Sequence, residues 1–173
     1  MRYCPACREE LTQRSIDGVV RLACPSTPCG FVFWGNPIPV VAALVRMDDD
    51  YVLARNAQWP EGMFSLITGF LEKGESPEDA VARETQEELG VRVSEVRFLG
   101  HFTLAQFNQL IIAYLVRASG EIHPSSEISE FKRLSSSELG AFDFGPLELT
   151  AQIVQVALQQ ANPSPSKVAP CAG

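Results

Sequence analysis

The segment GFLEKGESPEDAVARETQEELGV constrains the fold most, because it contains both the start and the stop signals of one helix. Ser76 is a candidate N-cap, Pro77 suits the first helical position, and Asp79 stands three residues after the cap, as in a capping box. Gly90 can end the helix in a left-handed conformation. The sequence therefore predicts a helix over residues 77–89.

Three glutamates of this helix, Glu84, Glu87 and Glu88, fall within a sector of about 100° at the helical rotation per residue. Clustered carboxylates repel one another and raise one another's pKa. A rigid cluster of oxygen ligands is also the set that Mg²⁺ or Mn²⁺ prefers. The alternative is a solvated acidic face, on which Arg83 forms a surface ion pair with Glu87 or reaches back towards Glu75.

Two pairs of cysteines lie near the N-terminus: Cys4 and Cys7 in CPAC, and Cys24 and Cys29 in CPSTPC. Such short turns aim two thiolates at one point, and two turns complete a tetrahedral zinc shell. Four protein ligands leave no open position, so we expect a structural zinc ion. The alternatives are two disulfides, which a reducing cytosol disfavours, or four free thiols.

The rest of the chain mixes strands and helices without strict alternation, which predicts a mixed sheet flanked by helices. LTQRSIDGVVRLA is typical of a hairpin that turns at its Asp-Gly pair, and VVAALV and YVLAR predict a second hairpin. VRVSEVRFLGHFTLA and QLIIAYLVRAS are strand-like, and PLELTAQIVQVALQQA has helical periodicity. We expect a zinc ribbon over residues 1–35, a larger domain over 36–161, and a disordered tail over 162–173 in which Cys171 is an incidental thiol.

The net charge of −7 argues against general attraction to nucleic acid or to an anionic membrane. The N-terminal residues MRYCPACREE lack the apolar core of a secretory signal. No apolar run reaches the length of a membrane span. These observations favour a cytoplasmic protein.

The helical segment also matches every fixed residue of the Nudix box, G-x5-E-x7-R-E-U-x-E-E-x-G-U, through Gly69, Glu75, Arg83, Glu84, Glu87, Glu88, Gly90 and Val91. Thr85 stands at the first aliphatic position, U, and is the one departure. The sequence resembles a Nudix hydrolase. This resemblance implies an α+β fold, the Nudix α/β/α sandwich with a mixed sheet, over residues 36–161. It also implies hydrolysis of nucleoside diphosphates that are linked to another moiety.

A four-cysteine module before this box, together with SLITGFLEKGES, resembles the NADH pyrophosphatase branch of the family. The signature of that branch, Ser-Gln-Pro-Trp-Pro-Phe-Pro-x-Ser, is absent from LAQFNQLIIAY, where only Gln106 is kept. NADH, FAD and ADP-ribose are therefore all candidate substrates. Gln106 and Phe107 occupy the position of the signature and are the expected substrate contacts. Other aromatic residues that are candidates for stacking on a base are Phe33, Trp34, Trp59 and Phe64.

The resemblance also implies roles for individual residues. Glu84, Glu87 and Glu88 are expected to bind Mg²⁺ or Mn²⁺, with the carbonyl of Thr68 or Gly69 completing the shell. Glu88 is the expected base, and Glu75 and Arg83 are expected to orient the loop and helix. In SSEISEF, Glu127 matches a further metal ligand or base of related enzymes, although it can equally be an exposed loop residue.

Rival functions remain open at this point. The first is a dinucleotide pyrophosphatase that releases two mononucleotides. The second is a non-catalytic module, with the ribbon docking nucleic acid and the Nudix domain sensing a nucleotide. A third is the removal of a nucleotide cap from RNA, since the same bond is cleaved. The expected partner is thus a small nucleotide or a capped RNA end, and the resembling family also implies a homodimer.

Overall fold

The computed structural model describes residues 1–161, which form two compact units. The first unit comprises residues 1–37, and the second begins at Ile38. The tail that the sequence predicts to be disordered, with Cys171, lies outside the described residues. Each unit has a core of its own.

The first unit is a three-stranded antiparallel sheet of β1 (Thr12–Ile16), β2 (Val19–Ala23) and β3 (Val32–Phe33), in the order β1-β2-β3. Asp17 and Gly18 turn the β1-β2 hairpin with φ of 51° and 79°. Two consecutive positive φ angles are what a two-residue hairpin loop of this kind requires, which explains the Asp-Gly pair. The predicted hairpin is confirmed.

Six strands of the second unit form one mixed sheet in the order β7-β8-β4-β5-β9, with β6 paired to β4. Their bounds are β4 (Ile38–Met47), β5 (Asp50–Asn56), β6 (Ile67–Phe70), β7 (Arg92–Leu104), β8 (Gln109–Ser119) and β9 (Ile128–Leu134). Strands β4 and β8 are parallel, and the other neighbours are antiparallel. The first half of β4 pairs with β6 and its second half with β5, so this long strand organises the sheet.

Helices cover both faces of this sheet. They are α1 (Pro77–Leu89), α2 (Ser136–Gly140) and α3 (Glu148–Ala161). Alternate residues of β4 belong to different cores: Val41, Ala43 and Val45 pack in the core that contains α1 residues, whereas Val40, Ala42 and Leu44 pack in the core that contains α2 and α3 residues. A strand buried on both faces reads as a continuous apolar run, which is the pattern of VVAALV.

The result is the expected three-layer α/β/α sandwich with a mixed sheet. Every helix within residues 1–161 is too short or too polar to cross a bilayer.

Candidate functional site

Helix α1 begins and ends where the local signals predict. Ser76 is in an extended conformation and accepts a hydrogen bond at 3.1 Å from the backbone N–H of Asp79, while Pro77 is the first helical residue. Gly90 follows the last helical residue with φ of 69° and donates its N–H to Gln86 O. These caps fix which side chains of the helix face the sheet and which face outwards.

The buried face of α1 consists of Ala80, Val81, Thr85 and Leu89. Thr85 is fully buried, and its hydroxyl donates to Val81 O at 2.7 Å. The threonine therefore meets the packing demand of an aliphatic residue and satisfies its own polar group within the helix. Glu84 and Glu88 are half-buried at the edge of this face, and Glu87 is exposed.

Gly69, the first residue of the box, lies in β6 directly beneath Glu84. A Cβ atom added at Gly69 would stand 1.9 Å from Glu84 Cδ and 2.1 Å from Glu84 Oε1. Strand β6 pairs with β4 at this point, with Val41 opposite Gly69. The glycine is therefore required by the close approach of the Glu84 carboxylate to the backbone of β6.

Arg83 connects the loop that precedes α1 to the acidic face. Its Nε and Nη2 donate to the two carboxylate oxygens of Glu75 at 2.8 and 3.1 Å, and Nη2 also donates to Phe70 O at 3.2 Å. Its Nη1 donates to Glu84 at 2.8 Å and to Glu87 at 3.2 Å. Hydrogen bonds from Arg83 and from the Glu72 N–H lower the pKa of Glu75. One guanidinium thus holds the loop and two of the clustered acids.

Of the three clustered glutamates on α1, Glu88 is the one that Arg83 does not bind. Its carboxylate receives no hydrogen bond from any residue in the range 1–161. Partial burial raises the pKa of Glu88 to about 7, and the negative charges of Glu84, Glu127 and Glu87 add to the effect. The side chain is therefore partly buried, uncompensated and surrounded by acids.

Glu127 reaches this cluster because its loop is fastened to the end of α1. The N–H groups of His123 and Ser125 donate to Leu89 O and Glu88 O at 2.8 and 2.9 Å. A Cβ atom at Gly90 would stand 2.9 Å from His123 O, so the glycine also makes room for this loop. The sequence identified Glu127 but gave no signal for the backbone contacts that position it.

A cavity of about 920 Å³ lies over the acidic face. Its walls include Glu84, Glu87, Glu88 and Glu127, the cluster of carboxylates. Gln106 and Phe107 belong to a short 3-10 turn and also line the cavity, and Phe107 is 65% exposed. The structure therefore brings the expected substrate contacts and the expected metal ligands to the same cavity.

The other aromatic candidates divide into three groups. Trp59 lines the cavity. Phe64 is buried in the core, where its ring meets Phe142 edge to face. Phe33 and Trp34 belong to the first unit. Of the aromatic candidates, Phe107 and Trp59 line the cavity.

The start of α3 completes the cavity and was not anticipated from the sequence. Residues 146–150, with Gln152 and Ile153, line the cavity. A buried hydrogen bond of 2.8 Å between the hydroxyls of Ser65 and Thr150 ties this helix to the segment before β6. Helical periodicity predicts that α3 exists, but it carries no information about which cavity its first turn lines.

The donor set of the acidic cluster fits a hard divalent cation. It consists of carboxylate oxygens, and at Glu88 it includes a partly buried acid without a hydrogen-bond donor, whose charge a cation would neutralise. Within residues 1–161 no three of these carboxylates approach as closely as the four thiols described next.

The four cysteines of the first unit converge. The Sγ atoms of Cys4, Cys7, Cys24 and Cys29 all lie within 4.8 Å of one another. The Sγ–Sγ distance is 3.5 Å between Cys4 and Cys29 and 3.4 Å between Cys7 and Cys24. Both distances are much longer than the S–S bond of a disulfide, which is about 2.0 Å. A tetrahedral zinc ion with Zn–S bonds of about 2.3 Å needs sulfurs about 3.8 Å apart. The cluster therefore fits a four-thiolate metal site.

A NUDIX domain matches residues 35–153 of this sequence, which is more than half of the chain. The chain belongs to the NUDIX family. The match runs from just before β4 to the first turns of α3, and it includes the box on α1 and the loop of Glu127. The cysteine cluster that precedes it is consistent with a zinc-ribbon branch of the family.

The curated relatives of this Nudix chain include proteins named NAD-capped RNA hydrolase NudC. The protein from Vibrio parahaemolyticus is 29% identical over 162 residues, covering 92% of this chain and 59% of the relative. That from Vibrio atlanticus is 34% identical over 134 residues, covering 75% of this chain and 48% of the relative. The chain thus spans about half the length of these relatives.

Among solved structures, a NUDIX hydrolase from Nitrosomonas europaea superposes with a TM-score of 0.77 at 22% identity, covering 92% of both chains. Similarity at this level of identity shows that the fold is shared.

Proposed function

We propose that the protein hydrolyses the pyrophosphate bond of a dinucleotide or nucleoside diphosphate derivative, with Mg²⁺ or Mn²⁺, to give two monophosphates. The observation that carries this proposal is the convergence of Glu84, Glu87, Glu88 and Glu127 on one cavity that also presents Gln106 and Phe107. Membership of the NUDIX family supports the same reaction. Water supplies the oxygen that bonds to one phosphorus, and the bridging P–O bond breaks with its electrons on the departing phosphate.

Glu84, Glu87, Glu88 and Glu127 would hold the divalent ions, with a carbonyl of Thr68 or Gly69 as a further ligand. Such ions, when bound, neutralise the pyrophosphate and lower the pKa of water towards neutrality. The carboxylates provide the negative charge that retains them. Gly69 contributes by allowing the Glu84 side chain to lie against β6.

Glu88 is the proposed base that accepts the proton of the attacking water. A general base is most effective when its pKa lies near the working pH, and the surroundings of Glu88 raise its pKa to about 7. Glu127 lines the same cavity from a different element and is proposed as a further metal ligand or base. Its charge contributes to the raised pKa of Glu88.

Arg83 and Glu75 are proposed to position the acids rather than to touch the substrate. Their two-pronged ion pair joins the loop before α1 to the helix, and geometry of this kind is more specific than a single contact. Gln106, Phe107 and Trp59 would hold the nucleoside ends, by stacking and by hydrogen bonding.

The candidate substrates are NADH, FAD, ADP-ribose and an RNA that carries a nucleotide cap. The relatives named NAD-capped RNA hydrolase specifically favour the last of these. The rival proposal, a nucleotide sensor without catalysis, is less well supported, because every acid of the box is present and three of them, Glu84, Glu87 and Glu88, line the cavity.

The four thiolates are proposed to bind a structural Zn²⁺, since they leave no open position for a substrate. We further propose that the protein acts in the cytoplasm, where the cysteines stay reduced, and that it forms a homodimer. Sedimentation of the purified full chain would test the homodimer directly.

The decisive experiment incubates the purified protein and Mg²⁺ with each of the four substrates and measures the mononucleotide products. At least one substrate is expected to turn over. Glu88→Gln is expected to lower turnover about 100-fold or more, because the variant retains the shape of the side chain but cannot accept a proton. Glu95→Gln is the matched control, because Glu95 pairs with Arg117 on the surface. No turnover of any substrate, or full activity of Glu88→Gln, would contradict the proposal.

A further inference from the structure

Two arginines of the ribbon face each other across the β1-β2 hairpin. Arg14 and Arg21 are directly opposite one another in the antiparallel register, so their side chains leave the same face of the sheet. Like charges in directly opposed positions destabilise a sheet. A pair of this kind therefore needs an explanation outside the stability of the hairpin.

Neither arginine has an acidic partner. Arg14 Nη1 donates to Cys24 O at 3.3 Å, and Arg21 Nη1 donates to Trp34 O at 2.9 Å. Arg21 Nε is buried without an acceptor. Within residues 1–161 the ion pairs of the ribbon involve Arg2 and Glu10 rather than these two guanidinium groups. The face thus presents two positive charges that no carboxylate of residues 1–161 compensates.

Trp34 adds an aromatic surface to the same face. The guanidinium of Arg21 lies 4.9 Å from the centre of its ring, and the tryptophan is still 48% exposed. An indole ring that keeps this much exposed area can also contact a planar group. Arginine beside an exposed aromatic ring is the combination with which proteins bind single-stranded nucleic acid, through phosphates and stacked bases. We call Arg14, Arg21 and Trp34 the arginine face.

A cavity of about 240 Å³, which Arg14 helps to line, limits the size of the ligand. Complete sites for small molecules usually have volumes of roughly 300 Å³ or more, so this cavity is smaller than such a site. A free dinucleotide would therefore be poorly enclosed, whereas a strand that runs along the surface needs only a subsite for one of its groups.

The charge distribution along the sequence favours the same conclusion. The first 37 residues contain four arginines and three acidic residues, in a chain whose net charge is −7. The negative charge that argues against binding of nucleic acid by the whole chain therefore resides in the second unit. The argument from negative net charge therefore does not apply to residues 1–37.

We infer that the arginine face binds the single-stranded body of an RNA whose 5′-terminal nucleotide cap is the substrate of the Nudix cavity. This inference rests on the proposed function and specifies its substrate class. Phosphates of the strand accept hydrogen bonds from Arg14 and Arg21, and a base stacks on Trp34. Binding by the ribbon raises the effective concentration of the capped end at the domain that follows in the same chain.

The first test measures binding by fluorescence anisotropy, with the full chain and a labelled single-stranded RNA of about 12 nucleotides. The double variant Arg14→Gln with Arg21→Gln is expected to raise Kd about 10-fold. It should also reduce the slope of log Kd against log salt by about 1.4, since each phosphate contact on a single strand contributes about 0.7. The matched control, Arg2→Gln with Arg8→Gln, removes the same charge from the same unit and is expected to change Kd less than about 2-fold.

Zinc content separates loss of a contact from loss of the ribbon, because both double variants should retain the metal of the parent protein. A second measurement does not depend on the arginine variants. In a Trp59→Phe protein, Trp34 is the remaining tryptophan, and RNA is expected to quench its fluorescence by stacking. Absence of RNA binding, equal effects of the two double variants, or unchanged Trp34 emission would each overturn the inference.

Kinetics distinguish this inference from the proposed function. The Arg14 and Arg21 double variant is expected to raise KM for a capped RNA about 10-fold and to leave the hydrolysis of free NADH unchanged. If capped RNA and free NADH respond equally, the arginine face is not the RNA site and the hydrolase assignment stands. If neither compound is hydrolysed by the parent protein while RNA still binds, the proposed function fails and the binding site stands.

Discussion

Gly69 shows that the Nudix box excludes one atom, the Cβ that any other residue would add at this position. Its backbone has no unusual φ that would call for glycine, so conformational freedom does not explain the residue. The explanation is the Glu84 carboxylate, whose atoms occupy the position of a side chain. The spacing of the box thus reflects a contact between a strand and the helix that follows it.

Gly69→Ala is expected to lower turnover about 100-fold, because the added methyl group must displace Glu84 from its place in the acidic cluster. It should also lower the free energy of unfolding by about 1–3 kcal/mol through overpacking. Turnover with Mg²⁺ and thermal unfolding measure the two effects. Gly140→Ala is the control, since its Cβ would meet only Leu158 Cδ1 at an ordinary 3.6 Å. Wild-type activity in Gly69→Ala would show that the position of Glu84 is not important.

Single residues also show where sequence reasoning is sufficient and where it is not. The caps Ser76 and Gly90 were predictable, because capping depends on neighbours within a few positions. The surroundings of Glu127 were not, because they depend on backbone bonds from its loop to Glu88 and Leu89, far away in sequence. The raised pKa of Glu88 likewise arises from acids on two different elements.

At the scale of elements, the two units differ in how much apolar surface stabilises them. The sheet of the second unit is packed on both faces, whereas the buried core of the ribbon consists of Cys4, Leu11 and Cys24. Segments this short rarely fold on apolar burial alone. Two of these three core residues are proposed zinc ligands, so the same side chains would bind the metal and form most of the core.

Replacing Cys24 by serine is therefore expected to abolish zinc binding and to unfold residues 1–37, while the second unit remains folded. Hydrogen exchange followed by mass spectrometry measures both effects. Peptides from β1 and β2 should exchange within seconds, and peptides from β4 and β8 should remain protected. Cys171→Ser makes the same substitution at a cysteine outside the cluster and should retain the zinc. Protection of β1 and β2 in the zinc-free variant would mean that the ribbon is stable without a metal.

The elements themselves were largely predictable, and their assembly was not. Runs of apolar and β-branched residues predicted β4, β5, β7 and β8, capping signals predicted α1, and a period of 3.6 residues predicted α3. The pairing of β4 with β6 and β5 on one edge and with β8 on the other is decided by contacts across the sheet. For the same reason the first turn of α3 was not expected in the cavity.

At the scale of the whole molecule, an acidic chain concentrates part of its negative charge at one site. The free energy of this arrangement depends on pH through Glu88, whose pKa is raised from an ordinary 4.5 to about 7 in the folded protein. Between these two values the unfolded chain has lost the proton while the folded protein retains it. The stability of the metal-free protein therefore falls as pH rises from 4.5 to 7, and then stays level with respect to this group.

Glu88→Gln removes this dependence, since an amide has no proton to lose. In EDTA, the variant is expected to be more stable than the wild type at pH 8, by about 1–2 kcal/mol once the partial exposure of the carboxylate is allowed for. The difference should vanish at pH 4.5. Urea unfolding of both proteins at the two pH values measures it, with Glu95→Gln as the control.

Magnesium then distinguishes a functional cluster from an accidental one. A cation that binds only the folded protein stabilises it in proportion to ln(1 + [Mg²⁺]/Kd), so Mg²⁺ should raise the Tm of the wild type at pH 8. The increase should be smaller in Glu88→Gln, which has lost a charged ligand, and smaller for the wild type at pH 4.5, where protons compete with the cation. Equal increases in both proteins at both pH values would mean that Mg²⁺ binds elsewhere. The acidic face of α1 would then be a solvated surface, and the hydrolase assignment would lose its proposed metal site.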